Sequence, residues 1–297
     1  MNINRRQLLK GAGLAFGAAG FLELPAISAE PSNSSPAKRN ATKMRLGTVT
    51  YNLAKDWDVP TIIKNCEEAK FEGVELRTTH AHGVEVNLTK PQREEVKKRF
   101  QNSKVQLMSL GSAFDYHTPD QAKLRRDIEA TKEYIVLAHD LGAPGVKVRP
   151  NGLPAGVPKE KTLEQIGRSL RELGDFARDH GQVVRLEVHG PETQSVPNIK
   201  RILDVADHPL VGACWNSNPT DLDGAGFDAN FDLLKNKIFT VHLRDIYLEE
   251  YPFRRLFQRL NEIKFTGFCF AEIPESNDPI RVMRYFRSLW LAYQGLL

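Results

Sequence analysis

Short apolar runs alternate with amphipathic stretches along the chain from Met44 onward. Eight runs have the length and the β-branched or aromatic content that are typical of strands. They are RLGTVTY (45–51), GVELRT (73–78), VQLMSL (105–110), GVKVR (145–149), VVRLEV (183–188), VGACW (211–215), IFTVHL (238–243) and FCFAEI (268–273). The stretches between them place apolar residues at helical spacing, and Gly142 and Gly181 follow two of them as C-caps.

The spacing of the eight strands predicts how they connect. Their starts lie 27 to 40 residues apart, which is the length of a strand, a helix and two loops in a right-handed parallel crossover. Eight such units predict a single-domain α/β fold, a (β/α)8 TIM barrel over residues 44–297. A doubly wound open sheet is the alternative, but no glycine-rich phosphate loop follows the first strand.

The first 43 residues have a different pattern. NRRQLLK at 4–10 precedes the apolar GAGLAFGAAGFL, and Ala29 stands at a plausible cleavage point. This resembles a twin-arginine signal peptide over residues 1–29, followed by a flexible linker at 30–43. It implies the twin-arginine export machinery as a partner and a bacterial periplasmic location. The alternative is an uncleaved membrane anchor, although the apolar stretch is shorter than the ~20 residues that a span needs.

Composition narrows the function classes. The chain has 297 residues, 41% of them hydrophobic and 26% charged, with a formal net charge of +4. No basic run follows the leader, so nucleic acid is not expected as a partner. Cys66, Cys214 and Cys269 are odd in number and lie in apolar segments, which predicts small buried side chains rather than disulfides or a zinc framework.

Polar residues stand at the carboxyl ends of the predicted strands, where barrels of this type build their active sites. Residues two apart on a strand share a face, so most of these form pairs on the barrel's inner side. They are Glu75 and Arg77, Lys147 and Arg149, Glu187 and His189, Asn216, His242 and Arg244, and Glu272.

Part of this set suits a divalent metal ion. Two carboxylates, an imidazole and an amide oxygen come from strands five to eight, and an ion would neutralise carboxylates that are costly to bury together. Bound to adjacent sugar oxygens, it would polarise a carbonyl and stabilise an enediolate. One glutamate could then act as base and the other return the proton.

The motifs LEVHG, CWNSN, VHLRD and FAEI, with GVELR and LAHDLGAPGVKVRP, resemble the xylose isomerase-like TIM-barrel family of sugar and sugar-phosphate isomerases and epimerases. The resemblance covers residues 44–290. It implies metal ligation by Glu187, Asn216, His242 and Glu272, and an acid/base pair of Glu187 and Glu272. It further implies that His189 and Arg244 bind substrate.

Two departures from the family pattern matter. Asn216 replaces the family's aspartate, which removes a negative charge and should weaken metal affinity. Asn218 stands where the family often has a histidine. The segment at 245–267 is shorter than in many members, which predicts a more open site and a larger substrate.

Several of these residues also have purely structural interpretations. Glu187 alone could be a core acid paired with Arg185 or Arg149, and Asn216 could cap a loop. Glu75 and Arg77 could form a buried ion pair instead of binding substrate.

Three further residues are candidates for substrate binding. Lys147 and Arg149 could bind an anionic substrate or only neutralise carboxylates. His82, in RTTHAHGVE, could contact substrate or be a surface histidine.

The sequence therefore predicts a metal-dependent sugar isomerase or epimerase that acts through an enediolate on an unphosphorylated sugar or keto-sugar. Its expected cofactor is one divalent ion (manganese, magnesium, cobalt or zinc), its ligand is a small carbohydrate, and a homodimer is compatible with the sequence. The alternatives are a keto-glycoside lyase or hydrolase, a non-catalytic carbohydrate-binding barrel, and an apurinic-site endonuclease. For the endonuclease, too few histidines and carboxylates fall at strand ends.

Overall fold

The computed structural model describes residues 44–297. The predicted signal peptide and linker lie outside the described residues. Among residues 44–297, no helix combines the length and apolar character needed to cross a membrane.

Eight parallel strands close into one barrel in chain order, with β8 paired to β1. The strands are β1 Arg45–Val49, β2 Gly73–Arg77, β3 Gln106–Gly111, β4 Gly145–Val148, β5 Val183–Glu187, β6 Val211–Asn216, β7 Ile238–Leu243 and β8 Phe268–Ala271. The predicted (β/α)8 barrel is confirmed. The eight strands end within two residues of their predicted limits. Five of the predicted runs continue into the loop that follows, whereas β3 and β6 extend one residue further than predicted and β7 ends as predicted.

One helix follows each strand. The helices are α1 Val59–Ala69, α2 Lys90–Gln101, α3 Gln121–Leu141, α4 Lys159–Asp179, α5 Val196–Ala206, α6 Phe227–Leu234, α7 Phe253–Glu262 and α8 Pro279–Tyr293, with a 3-10 turn at Pro219–Leu222. Gly142 caps α3 in the left-handed conformation, φ +76°, which a residue without Cβ adopts at no steric cost. At α4 the C-cap is His180, and Gly181 follows it with φ +63°.

The main core fills the layer between barrel and helices. Outward-facing strand residues such as Val146, Val148 and Leu186 are fully buried, and so are Leu163 and Ile166 on α4. Burying each such side chain contributes about 1.5–3 kcal/mol. Because this layer is apolar, the polar strand positions belong to the barrel's interior.

Two aromatic rings fill the lower part of the barrel. Phe268 and Phe270 stack with centroids 5.4 Å apart. A Cβ on Gly47 would lie 2.6 Å from Phe270, and one on Gly73 would lie 2.4 Å from Phe268, so both strands need glycine there. The inward positions that come two residues later, such as Glu75 after Gly73 and Glu272 after Phe270, therefore lie beyond these rings, toward the carboxyl ends.

Candidate metal and acid/base site

Four inward-facing side chains form a ring at the carboxyl end of the barrel. Each comes from a different strand, and each is no more than 4% exposed: Glu75 on β2, Lys147 on β4, Glu187 on β5 and His242 on β7. Buried carboxylates, ammonium groups and imidazolium rings stay charged only when a group of opposite charge lies close by.

The ring is held together by a buried ion pair. Lys147 Nζ donates to Glu187 Oε2 at 2.6 Å and lies 3.9 Å from Glu75 Oε1. Burial alone would raise the pKa of Glu187, but the Lys147 and His242 charges hold it well below its usual range. Burial likewise opposes a charge on Lys147, yet the two glutamates raise its pKa. Lys147 thus neutralises carboxylates, and the pairings of Glu187 with Arg185 or Arg149 do not form.

His242 lies between three carboxylates. Its Nδ1 is 3.5 Å from Glu187 Oε1 and 3.6 Å from Glu272 Oε2, and its Nε2 is 3.3 Å from Glu75 Oε1. Burial lowers the pKa of the imidazole, but its neighbours, Glu75 among them, raise it well above the usual value. Nδ1 of His242 faces Glu187 and Glu272, which are candidate metal ligands, and Nε2 faces Glu75.

The donor atoms fit a divalent ion. One ligand atom each from Glu187, His242 and Glu272 lies within 4.8 Å of the others. Asn216 stands opposite His242 in the β6–β7 register, and its buried Oδ1 has no hydrogen-bond partner. Because an unpaired buried oxygen is costly, a cation at this position would satisfy it.

Asn216 does not cap the following loop with its side chain. The neighbouring Asn218 is fixed in that loop instead: its Nδ2 donates to Val188 O at 2.6 Å, and its backbone N–H donates to Asp221 Oδ2 at 3.1 Å. The two asparagines have separate roles, and Asn216 keeps its oxygen available.

Glu75 takes the place of an outer carboxylate behind His242. Metal-binding histidines usually direct their second nitrogen at such a group, which fixes the tautomer and the ring orientation. Gly111 on β3 makes room for it, because a Cβ there would be 2.7 Å from Glu75 Oε1. The ion pair between Glu75 and Arg77 considered from the sequence does not form; Arg77 Nη1 donates instead to Thr78 O at 2.7 Å.

A pocket of about 310 Å³ opens beside these groups. Its lining includes Asn216, Glu272 and Arg244, together with Tyr51, whose side chain is exposed. His189 is partly buried, and its Nδ1 has no hydrogen-bond partner. Burial lowers the pKa of His189, so the neutral ring prevails and can accept or donate one hydrogen bond to a hydroxyl.

His82 has a structural set of contacts. Its Nε2 lies 2.7 Å from Arg77 O, and its Nδ1 accepts from Val84 N–H at 3.0 Å. Both ring nitrogens are engaged with the backbone, so the ring fixes the loop after β2 and has no nitrogen free for a sugar hydroxyl.

A second buried network supports the loops after β6 and β7, and the sequence did not point to it. Tyr251 OH donates to Asp221 Oδ2 at 2.6 Å and accepts from Trp215 Nε1 at 3.0 Å. Burial raises the pKa of Asp221 to about 7. The Asn218–Asp221 spacing has the form of a capping box, which was the available signal in the sequence.

Comparison with known proteins agrees with the fold. No curated protein sequence matches the chain. Among solved structures, E. coli YcjR, a 3-keto-D-glucoside 4-epimerase, superposes with a TM-score of 0.69 at 17% identity, covering 84% of this chain and 99% of the other. A zinc-bound IolI protein gives 0.72 at 16% identity, with 85% and 98% covered. An L-ribulose 3-epimerase gives 0.72 at 14%, with 85% and 95% covered.

At these identities the structural matches establish the fold alone. A family model described as "Xylose isomerase-like TIM barrel" matches residues 63–289, which contain seven of the eight strands and every candidate site residue. The chain belongs to the xylose isomerase-like TIM-barrel family.

Proposed function

We propose that this protein is a metal-dependent sugar isomerase or epimerase that removes a proton from the carbon next to a carbonyl group. The observation that carries the proposal is the approach of two carboxylates, Glu187 and Glu272, to the same nitrogen of His242, at 3.5 and 3.6 Å. Epimerases among the solved structures with this fold support the same reaction class.

The residues of the chain divide the reaction between them. Glu187, Asn216, His242 and Glu272 would hold the divalent ion, which when bound would polarise the substrate carbonyl and stabilise negative charge on its oxygen. Glu187, whose pKa the Lys147 and His242 charges hold well below its usual range, is ionised, as a general base must be before it takes a proton. Glu272, which lines the pocket from β8, would return a proton to the carbon chain.

The remaining polar groups would orient the sugar. Arg244 lines the same pocket as Glu272, and His189 offers an unpaired nitrogen near Glu187. Hydrogen bonds from these side chains to hydroxyl groups would hold the reacting carbon between the two carboxylates, which is how positioning lowers the barrier.

Deuterium exchange tests the proposal. The purified protein, supplied with manganese or zinc, is incubated with keto-sugars in D2O, and NMR detects deuterium at the carbon next to the carbonyl. We expect exchange with the wild type and none with Glu187→Gln or Glu272→Gln, while the exposed Glu249→Gln control keeps it. Absence of exchange with every keto-sugar, together with metal analysis that finds no bound ion, would refute the proposal and favour a carbohydrate-binding barrel.

Cleavage of a keto-glycoside by elimination is the second candidate. Tyr51, 46% exposed on the pocket rim, offers an aromatic face to a second sugar ring or another substituent. Both candidates begin with the same proton abstraction, so product analysis separates them: an isomer or epimer supports the first, and release of the substituent supports the second.

We further propose that the protein is exported to the periplasm by the twin-arginine pathway. The pattern of residues 1–29 supports this. Export in a folded state would allow the ion to be acquired before transport, and sugar phosphates should be scarce outside the cytoplasm. Cell fractionation of the wild type and of an Arg5→Lys, Arg6→Lys variant tests the location, and retention of both in the cytoplasm would refute it.

A further inference from the structure

The inner wall of the barrel carries more positive than negative charge. Arg45, at the amino-terminal end of β1, is paired with Glu72. Five other cationic side chains stand on inward positions of the strands or just beyond them: Arg77, Lys147, Arg149, Arg185 and Arg244. Three glutamates stand on the corresponding positions: Glu75, Glu187 and Glu272. Asp245 adds one more carboxylate at the pocket. A divalent ion would add two further positive charges, so the loaded site would have a clear cationic excess.

The excess is concentrated on arginines without acidic partners. Within residues 44–297, no carboxylate lies within 4.0 Å of Arg77, Arg149 or Arg244. Lys147, by contrast, is bound to Glu187. The lysine therefore accounts for neutralisation of the buried acids. The three arginines have no acidic partner, although Arg77 donates through Nη1 to Thr78.

Arg77 and Arg149 share one side of the barrel mouth. Arg77 is the last residue of β2 and Arg149 follows β4; β3 between them ends at Gly111 and is followed by the small residues Ser112 and Ala113. The Arg149 guanidinium makes a single long bond, from Nη2 to Ala113 O at 3.4 Å, and its buried Nε has no partner.

The charges of the two guanidinium groups also interact. After burial, the charge of Arg149 is the largest influence that lowers the pKa of Arg77. Two acids act in the opposite direction and raise it, and both are bonded elsewhere: Glu187 to Lys147, and Glu85 to Tyr134. Since no carboxylate within residues 44–297 lies within 4.0 Å of either guanidinium, both charges can pair with an anion.

We infer that Arg77 and Arg149 form an anion subsite, and that the substrate is a sugar bearing a negatively charged group, a carboxylate or a phosphate. This inference rests on the proposed sugar-transforming function and specifies its substrate class. The subsite lies across the mouth from Asn216, at the end of β6, and Glu272, which follows β8. A bound anion would therefore anchor one end of the sugar while the other end reaches the acid/base pair.

Calorimetric titration tests the subsite independently of turnover. The probes are D-glucose, D-glucuronate and D-glucose 6-phosphate, each titrated into the full-length protein with and without a chelator. The chelator arm removes binding of the anion to a metal ion. We expect at least one anionic probe to bind about tenfold or more tightly than glucose, because charge-assisted bonds to guanidinium exceed the strength of neutral ones.

Charge-removing variants locate the effect. In an Arg77→Gln, Arg149→Gln double variant, the preference for the anionic probe should fall to about that of glucose, whereas Arg126→Gln, at an exposed arginine of α3, should keep it. Circular dichroism verifies that each variant is folded. Equal binding of all three probes, no binding of any, or an anion preference that survives in the double variant would overturn the inference.

The calorimetric preference identifies the anion, and its comparison with deuterium exchange distinguishes failure of the subsite from failure of the proposed function. Preference for glucuronate indicates a sugar acid, while preference for the phosphate supports the subsite but contradicts the unphosphorylated substrate expected of an exported enzyme. Deuterium exchange on neutral keto-sugars without any anion preference would refute the subsite and leave the proposed function intact. Anion preference without deuterium exchange on any substrate would support the subsite and refute the proposed function.

Discussion

Removing the Lys147 ammonium group should leave a buried carboxylate without compensation. Lys147→Met keeps the length of the side chain and deletes only its charge and hydrogen bonds. Both partners of the pair are at most 5% exposed, and the Nζ–Oε2 distance is 2.6 Å. Breaking one side of such a pair costs about 3–5 kcal/mol, because the remaining charge keeps its desolvation penalty and loses its partner.

A surface pair of the same type provides the matched control. Lys132 Nζ lies 2.8 Å from Glu172 Oε1, but the Glu172 side chain is 36% exposed. Glu172 keeps its hydrogen bonds from Arg125 and its contact with solvent, so Lys132→Met should change the free energy of unfolding by no more than about 1 kcal/mol. The difference between the two variants isolates the contribution of burial.

Thermal and urea unfolding measure both effects. For a domain of this size, about 2–4 °C of Tm corresponds to 1 kcal/mol, so Lys147→Met should lower Tm by about 6–20 °C. Adding Glu187→Gln to Lys147→Met should restore part of the loss, because the uncompensated charge is gone. If Lys147→Met lies within about 1 kcal/mol of the wild type, or if the double variant is less stable than the two single losses predict, the assignment of Lys147 as the neutralising cation is wrong.

Three further predictions follow from single positions. Asp221 has its pKa raised to about 7 by burial, so its contribution to stability is present at low pH and lost as pH rises toward 7. Asp221→Asn cannot titrate, and its stability relative to the wild type should improve by about 2–3 kcal/mol between pH 5 and pH 8 in urea unfolding; identical pH profiles would contradict this. Asn216→Asp adds a carboxylate opposite His242 and should tighten manganese binding by roughly tenfold, measured by calorimetry, since ligand charge sets cation affinity; unchanged affinity would mean that residue 216 is not a ligand. Gly145→Ala would place a Cβ 2.1 Å from the Val183 carbonyl oxygen, and should lower the free energy of unfolding by about 1–3 kcal/mol in urea; a neutral result would show that β4 and β5 can separate there.

The fold and the triad of Glu187, His242 and Glu272 were accessible from the sequence for one physical reason. In a parallel barrel the carboxyl ends of all strands meet at one mouth, and residues two apart on a strand share a face. Strand limits and alternation alone therefore place these three side chains together, and no detail of the loops is needed.

Other contacts depend on register and on long-range packing. The β2–β3 pairing shifts register between Val74 and Glu75, which alternation does not reveal, and Glu75 lies 3.3 Å from His242 Nε2. The bond between Asp221 and Tyr251 joins residues 30 positions apart in two different loops. His82 was a candidate for substrate binding because it lies in a loop at the mouth of the barrel. Both of its ring nitrogens bond backbone atoms instead, and the sequence gives no sign of these contacts.

Two features of the candidate site, Asn216 and the ion pair of Lys147 with Glu187, differ from what a site for a divalent cation usually contains, and both act through charge. Asn216 supplies a neutral oxygen where the family resemblance calls for a carboxylate, and Lys147 places a positive charge on Glu187 Oε2. Both features reduce the negative charge available to a cation, while Glu187 Oε1, the Nδ1 of His242 and Glu272 Oε2 still converge. A barrel with this balance remains compensated without an ion, since Lys147 serves the carboxylate in its place. Positive charge also remains on the opposite rim, at Arg77 and Arg149. Because residue 216 is a neutral asparagine, the chain adds no carboxylate there, and a negatively charged group on the substrate would supply the compensating charge.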